Sequence, residues 1–373
     1  MLPVHAQLLG ASLAMVGLIV GAYGIAQLVL RVPMGMLSDR IGARRPFVIA
    51  GLAAAGVGAL TMGFAADPWA LLAGRALSGV SAATWVIFTV LFAASFAPGA
   101  SARAMALISA ITSLAQLVST SSGGLIAEGF GFQAPFLVGA ALSALGIAVV
   151  LPLVEPPRRR SGARPLRVTA GPLLAVAAVQ GALLVGASQA AAYGYGPIYA
   201  TAMLRASPAE LGALTAALFL ASTLAALASA YAASRLGARW MIMLGAVAAA
   251  FGLLLVPFAV SIPGMALLMA LHGVGRGTTQ PLLMTVSIAG VPDESRAGAM
   301  GVFQAGYSIG MVAAPPIAGL LADALGLSSV FYACGFACLV AASLSLLSPL
   351  WRAVSPAGGG AARSAPRSSR AQA

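Results

Sequence analysis

Lysine is absent from the chain, and acidic residues are scarce. All 20 basic residues are arginine, and only 8 of the 373 residues are Asp or Glu. Charged residues make up 8% of the sequence, whereas hydrophobic residues make up 60%. So few charges cannot cover the surface of a soluble globular protein, and this composition excludes that class.

Cysteine is nearly absent too, since Cys334 and Cys338 are the only two, one helical turn apart in an apolar run. This number and spacing exclude a disulfide framework or a cysteine metal site, and both residues are predicted to be packing residues.

The sequence also has no nucleotide-binding loop, no HExxH pair and no paired carboxylates within its apolar runs. An ATP-driven pump and a membrane enzyme are therefore disfavoured, and no cofactor is expected.

What the sequence does have is long apolar runs without the alternation of a β-barrel, which predicts an all-α integral membrane protein. Most runs are close to the length of about 20 residues that crosses a bilayer. We predict eleven spans, at residues 13–37, 46–66, 69–94, 104–127, 134–154, 171–195, 208–233, 240–260, 264–291, 298–322 and 329–350. The longest internal loop, residues 155–170, is predicted to be a flexible cytoplasmic linker. The Gly-, Ala-, Ser-, Pro- and Arg-rich tail at residues 352–373 is predicted to be disordered.

The net charge of +12 would suit a nucleic-acid partner, but the position of the arginines argues against one. All but four lie in loops or tails on one side of the predicted membrane, and of those four only Arg205 lies in a loop on the other side. Since arginine is enriched on the cytoplasmic side, this asymmetry predicts a cytoplasmic C-terminus. The abundance of Ala and Arg without Lys suggests a GC-rich bacterial genome, and so a bacterial inner membrane. The arginines on the cytoplasmic side are Arg40, Arg44, Arg45, Arg103, Arg158, Arg159, Arg160, Arg164, Arg167, Arg235, Arg239, Arg296, Arg352, Arg363, Arg367 and Arg370.

An internal repeat, in which equivalent positions always differ by 195 in the numbering, divides the chain into two halves. "GMLSDRIGAR" from Gly35 aligns with "AYAASRLGAR" from Ala230, and "GGLIAEGFGFQAPF" from Gly123 aligns with "AGLLADALGLSSVF" from Ala318. The repeat predicts helical bundles at residues 1–154 and 171–351. It also places the partner of span 171–195 upstream of Met1. We therefore expect a six-plus-six architecture in which spans 2–6 and 7–12 are present, and an apolar span encoded upstream; the alternative is a protein that functions with eleven spans.

The loop "GMLSDRIGARR" between two spans resembles the signature loop of the major facilitator superfamily, and "LLAGRALSGVSAA" from Leu71 resembles its fourth-span motif. The resemblance covers nearly the whole chain. It implies two helical bundles that move a substrate by alternating access, with spans one, four, seven and ten lining the cavity. Ala43 departs from the family pattern, in which a basic residue often stands at this position.

The signature loop is interpreted as a conformational latch. A carboxylate there can bind the start of a neighbouring helix, the glycines permit close approach and an unusual backbone conformation, and the arginines can pair with carboxylates across the halves. The alternative is a plain cytoplasmic turn, which leaves the carboxylate unexplained. In the second half Ser234 replaces the acid, so the latch is expected on one side only. The latch residues are Gly35, Asp39, Arg40, Gly42, Arg44 and Arg45.

Three arginines fall inside spans, whereas all eight acids fall in loops or at span ends, so the pathway is predicted to be positively charged. These arginines lie on polar stripes of helical period, one of which is Tyr23, Gln27 and Arg31 in the second span. The alternatives are that Arg31 snorkels to the interface, that Arg75 binds backbone carbonyls and that His272 is bonded between helices. The candidate substrate or coupling residues are Arg75, Trp85, Gln189, Tyr193, His272, Arg276, Gln280, Arg31 and Gln27.

These features predict a monomeric transporter of a small organic molecule, embedded in the lipid bilayer and coupled to protons. Efflux is favoured on family frequency, although "AQLVSTSSGG" from Ala115 departs from the fifth-span motif of proton antiporters. The positive pathway favours an anionic substrate. Uptake or exchange of a small organic anion is therefore the alternative function. A transporter-like sensor that moves nothing is the remote alternative, because such a protein is expected to carry a soluble domain.

Overall fold

The computed structural model describes residues 1–96, 101–155, 171–289, 291 and 296–347. The regular elements within these residues are all helices, without strands. The helices are α1 Leu2–Leu8, α2 Leu13–Ile41, α3 Arg45–Gly63, α4 Pro68–Ala83, α5 Trp85–Ala94, α6 Ser101–Phe130, α7 Ala134–Val150, α8 Pro172–Ala187, α9 Gly196–Leu204, α10 Pro208–Leu236, α11 Ala238–Leu254, α12 Ile262–Ser287, α13 Arg296–Leu325 and α14 Leu327–Leu347. A π-helix, Ser188–Tyr195, joins α8 to α9, and a 3₁₀ turn, Val256–Phe258, follows α11.

A helix occupies each of the eleven predicted spans, because α4 and α5 together fill one, and α8 and the π-helix fill another, which α9 extends beyond its predicted end. Eight of these segments are long and apolar enough to cross a membrane. The other three predicted spans are α6, α7 and α12.

The helices begin and end where local chemistry dictates: Ser12 caps α2 and Asp67 caps α4, while Gly42 ends α2 with φ of 79°.

The helix boundaries follow the internal repeat. Helices α2 and α10 begin and end at equivalent positions of the two halves, and so do α6 and α13. A similar side-chain contact also occurs in each half: Arg45 Nη2 donates to the Leu151 carbonyl, and Arg239 Nη2 donates to the Leu346 carbonyl. In each half an arginine at the start of one helix thus binds the end of another. The two halves therefore share one architecture.

The halves meet along two seams, which we call the α2–α13 seam and the α6–α10 seam. Glycines bring the backbones together: a Cβ on Gly17 would lie 2.3 Å from the Pro315 carbonyl oxygen, and one on Gly212 would lie 2.9 Å from that of Thr120. We call the end of the bundles that carries Gly42 the arginine-rich end, and the other the opposite end. These close contacts lie towards the opposite end.

Two sequence predictions have different outcomes in the fold. Cys334 and Cys338 are free and buried, as predicted for packing residues. Gly35 was predicted to permit close approach of another helix, but no described neighbouring atom lies within 4 Å of the position of its Cβ. No contact of Gly35 with another helix is thus described at the arginine-rich end, and its role in the latch stays a prediction.

Candidate functional site

A central cavity of about 640 Å³ lies between the halves and opens onto polar side chains from both. All of the predicted substrate or coupling residues except His272 line it. The lining residues are Tyr23, Gln27, Arg31, Arg75, Ala82, Trp85, Thr112, Gln116, Thr120, Val185, Ser188, Gln189, Tyr193, Thr215, Phe219, Arg276, Gln280, Tyr307 and Met311.

Arg75 contributes a positive charge from α4. Its guanidinium carbon lies 4.5 Å from the centre of the Tyr23 ring, a cation–π contact between α4 and α2. Its Nε is buried without a hydrogen-bond partner among the described residues. The described contacts of Arg75 include no hydrogen bond to a backbone carbonyl, so they do not support the alternative that it binds one. A buried guanidinium with an unused donor remains able to bind an acceptor on a ligand.

Arg276 contributes a positive charge from the other half. Its guanidinium carbon lies 6.0 Å from the Tyr193 ring centre and 5.7 Å from that of Phe219, and these two rings stack on each other. Its Nη1 lies 3.4 Å from Ser222 Oγ, a long hydrogen bond. Aromatic faces and one hydroxyl therefore hold this side chain, and no described carboxylate neutralises it within the cavity.

Arg31 joins the two halves beside the cavity. Its Nη1 donates to Gln304 Oε1 at 2.8 Å, across the α2–α13 seam. The alternative that Arg31 merely snorkels to the interface does not match this contact. With Arg75 and Arg276 it gives the cavity three guanidinium groups, and the described lining residues include no Asp or Glu. Such a surface attracts an anion and repels a cation.

The π-helix brings polar side chains to the cavity in the middle of the seventh span. Pro197 lacks a backbone N–H, which disturbs the helical hydrogen bonding one turn earlier, and the wider π-helix precedes it. Gln189 and Tyr193 line the cavity from this segment, and Tyr193 Oη is buried without a partner among the described residues. With Ser188, which also lines the cavity, an irregular segment at mid-span thus carries three polar groups to the site.

His272 does not line the central cavity. It is buried, its Nε2 lies 2.9 Å from Ser188 Oγ, and its Nδ1 lies 3.1 Å from the Ala249 carbonyl oxygen. The ring therefore bridges three elements of the C-terminal half, which matches the alternative of a histidine bonded between helices. The remaining candidates Gln27, Trp85 and Gln280 all line the cavity.

Two of the latch residues, Arg44 and Arg45, form contacts within the N-terminal half. Backbone N–H groups of Arg44 and Arg45 donate to the Glu155 carboxylate at 2.6–3.0 Å, so Glu155 caps the start of α3. Glu155 was assigned to the flexible linker, and this contact fixes it to the bundle. Arg40 is exposed. The side chain of Asp39 and residues 156–170 and 348–373 lie outside the described residues, so the central latch contact, the linker and the tail stay predictions.

Several cavity residues were missed by the sequence analysis. Tyr307 and Met311 come from α13, Phe219 from α10, and Gln116 from α6. The resemblance implies that spans one, four, seven and ten line the cavity, whereas these four residues lie on spans five, eight and eleven. A polar residue within an apolar run was the available signal for Gln116, whereas nothing in the sequence separates Phe219 or Met311 from lipid-facing residues.

The comparisons with known proteins agree with this architecture. The family model described as Major Facilitator Superfamily matches residues 1–203 and 181–371. The class G tetracycline resistance protein of Vibrio anguillarum is 30% identical over 287 residues, which cover 72% of this chain and 71% of that protein. The inner membrane transport protein YajR of Escherichia coli (strain K12) is 32% identical over 142 residues, 38% of this chain and 31% of YajR. The match thus spans less than a third of YajR.

Two solved structures share the fold over nearly the whole chain. The nucleoside transporter NupG, as a point mutant, has a TM-score of 0.79 at 16% identity, and the match covers 93% of this chain and 94% of NupG. A bacterial homolog of the human lysosomal transporter Spinster, inward-facing and occupied, has the same TM-score and identity, with 95% and 91% covered. From the matched family model and the repeated helical bundles, we conclude that the chain is a multi-pass membrane protein and belongs to the Major Facilitator Superfamily.

Proposed function

We propose that the protein is a secondary transporter that moves a small organic anion through the central cavity by alternating access. The observation that carries this proposal is the cavity itself, with Arg31, Arg75 and Arg276 lining it and no acid among its described lining residues. Placing three guanidiniums within the membrane, with no carboxylate among the described lining residues, is costly. A bound anion would offset that cost, and the aromatic groups around Arg75 and Arg276 would contact its apolar part.

The distribution of contacts supports a conformation that is closed at the opposite end. There the halves are joined by hydrogen bonds, for example from Tyr195 Oη to the Leu13 carbonyl at 2.7 Å, and by the glycine contacts of both seams. If the arginine-rich end is cytoplasmic, as the positive-inside rule predicts, the cavity is accessible from the cytoplasm in this conformation. Bacterial inner-membrane location and a cytoplasmic C-terminus belong to the same proposal.

Export is the direction that we favour. One relative carries the name of a tetracycline resistance protein, and a membrane protein can confer resistance by exporting the compound. Proton coupling is the expected source of energy, since the sequence offers no nucleotide-binding loop. Uptake or exchange of an organic anion is the second candidate, and the positive cavity suits it as well as it suits export.

Flux measurements in proteoliposomes test the proposal. Purified protein is reconstituted into vesicles, which are loaded with anionic, neutral or cationic organic compounds of similar size and assayed with and without an imposed pH gradient. The expected result is saturable flux of an anion, faster when the gradient is imposed. Flux restricted to cations would contradict the anion assignment, and absence of flux for every class would favour the sensor alternative.

A further inference from the structure

Two carboxylates at the opposite end bind the other half of the molecule in equivalent ways. Glu128, at the end of α6, accepts hydrogen bonds from Ala209 N–H at 2.8 Å and from Ser207 Oγ at 2.9 Å. Asp323, at the end of α13, accepts one from Ala14 N–H at 2.9 Å. The two acids occupy equivalent positions of the internal repeat, and so do the two alanines. The contacts are therefore equivalent under the repeat.

The helix starts that receive these carboxylates are built alike. In α2 the cap residue Ser12 accepts from the N–H of Met15, and in α10 Ser207 accepts from the N–H of Glu210. Each serine leaves unsatisfied the N–H of the second residue of its helix, Ala14 in α2 and Ala209 in α10. An acid from the other half binds that group, where the positive end of the helix dipole also favours a carboxylate.

Glycines allow these carboxylates to reach their targets. A Cβ on Gly124 would lie 2.7 Å from the Pro208 carbonyl oxygen, and one on Gly319 would lie 2.7 Å from that of Leu13. These glycines are also equivalent under the repeat, and each lies one turn before the acid on its helix. A larger residue would hold α6 away from α10, or α13 away from α2, and would break the contact.

We propose that Glu128 and Asp323 act as a symmetric pair of latches, which we call the paired carboxylates, that hold the opposite end closed. Both contacts join one half to the other, so both must break when that end opens. Their loss therefore favours the open conformation. Because the contacts are repeated at both seams, the opposite end has two latches, whereas the signature loop at the arginine-rich end is predicted to provide one.

The magnitude follows from the contact type. A carboxylate at a helix start stabilises that contact modestly, so neutralising one acid should raise the ratio of open to closed molecules about threefold. The two seams lie on different sides of the cavity and share no residues, so their effects should add in free energy. The Glu128→Gln and Asp323→Asn double variant should then shift the ratio about tenfold.

Distance measurement by spin labelling tests the proposal without any substrate, so its outcome is independent of what the protein transports. Cys334 and Cys338 are replaced by alanine, and labels are attached at Phe130→Cys and Leu325→Cys, positions that are 81% and 72% exposed at the opposite end of the two halves. The double variant should gain population at long distances, and each single variant should show a smaller gain in the same direction.

Asp67→Asn is the matched control. Asp67 also caps a helix start, accepting from the N–H groups of Trp69 and Ala70 at 2.8 and 3.0 Å, but donor and acceptor belong to the same half. This variant should leave the distance distribution unchanged. An identical distribution in wild type and double variant, or an equal shift in the control, would overturn the proposal. If the double variant does not fold, the single variants decide it by the same comparison.

Discussion

Replacing Gly17 by alanine should force the α2–α13 seam apart at the opposite end. The added Cβ would lie 2.3 Å from the Pro315 carbonyl oxygen and 2.8 Å from Tyr195 Oη. Ordinary contact begins near 3.4 Å, so the helices must separate by roughly 1 Å. Overpacking of this kind costs about 1–3 kcal/mol, and opening of the seam relieves it. We expect a shift of about five- to 150-fold towards the conformation open at this end.

Labelling of a cysteine in the cavity measures that shift. Gln116→Cys, on a background without Cys334 and Cys338, is exposed to a membrane-impermeant maleimide added to intact cells. Gly17→Ala should speed labelling. Gly129→Ala is the control, because it makes the same substitution at the same end of the molecule, in α6, where no described atom lies within 4 Å of the added Cβ. Equal labelling rates in the two variants would refute the claim that the glycine contact keeps this end closed.

Three further variants test separate parts of the structure. Asp39→Asn should slow turnover and leave expression nearly unchanged, and a normal transport rate would remove the latch interpretation of the signature loop. Glu155→Gln should lower the stability of the protein by about 1 kcal/mol, because the carboxylate caps α3, and thermal unfolding in detergent measures it. His272→Gln should lower stability while any dependence of flux on the pH gradient persists, because the ring is bonded between helices. Loss of that dependence alone would make His272 a coupling residue.

Much of the architecture could be predicted from the sequence because the bilayer restricts the secondary structure that can cross it. Apolar runs of about 20 residues that cross it must be helices. The internal repeat predicted which helices of the two halves are equivalent. The polar stripe Tyr23, Gln27 and Arg31 was predicted from helical period alone, and all three residues line the cavity.

The contacts between the halves could not be predicted from the sequence. Glu128 and Asp323 were noted as acids at span ends, but only the packing of α6 on α10 and of α13 on α2 shows that each binds the start of a helix in the other half. The position of His272 outside the lining of the central cavity could not be predicted for a related reason. The helical period of the sequence places a residue on one face of its helix. Whether that face turns towards the cavity or towards a neighbouring helix depends on packing.

The most direct test of the central claim compares an organic carboxylate with its uncharged amide as substrates. Wild-type protein and Arg276→Gln are reconstituted, and the flux of each compound is measured; Arg205→Gln, in a loop outside the cavity, serves as control. A hydrogen bond to a charged group is worth about 1.5–3 kcal/mol, so the variant should lose roughly tenfold or more of the preference for the carboxylate. An unchanged preference in Arg276→Gln, or none in the wild type, would contradict anion recognition in this cavity.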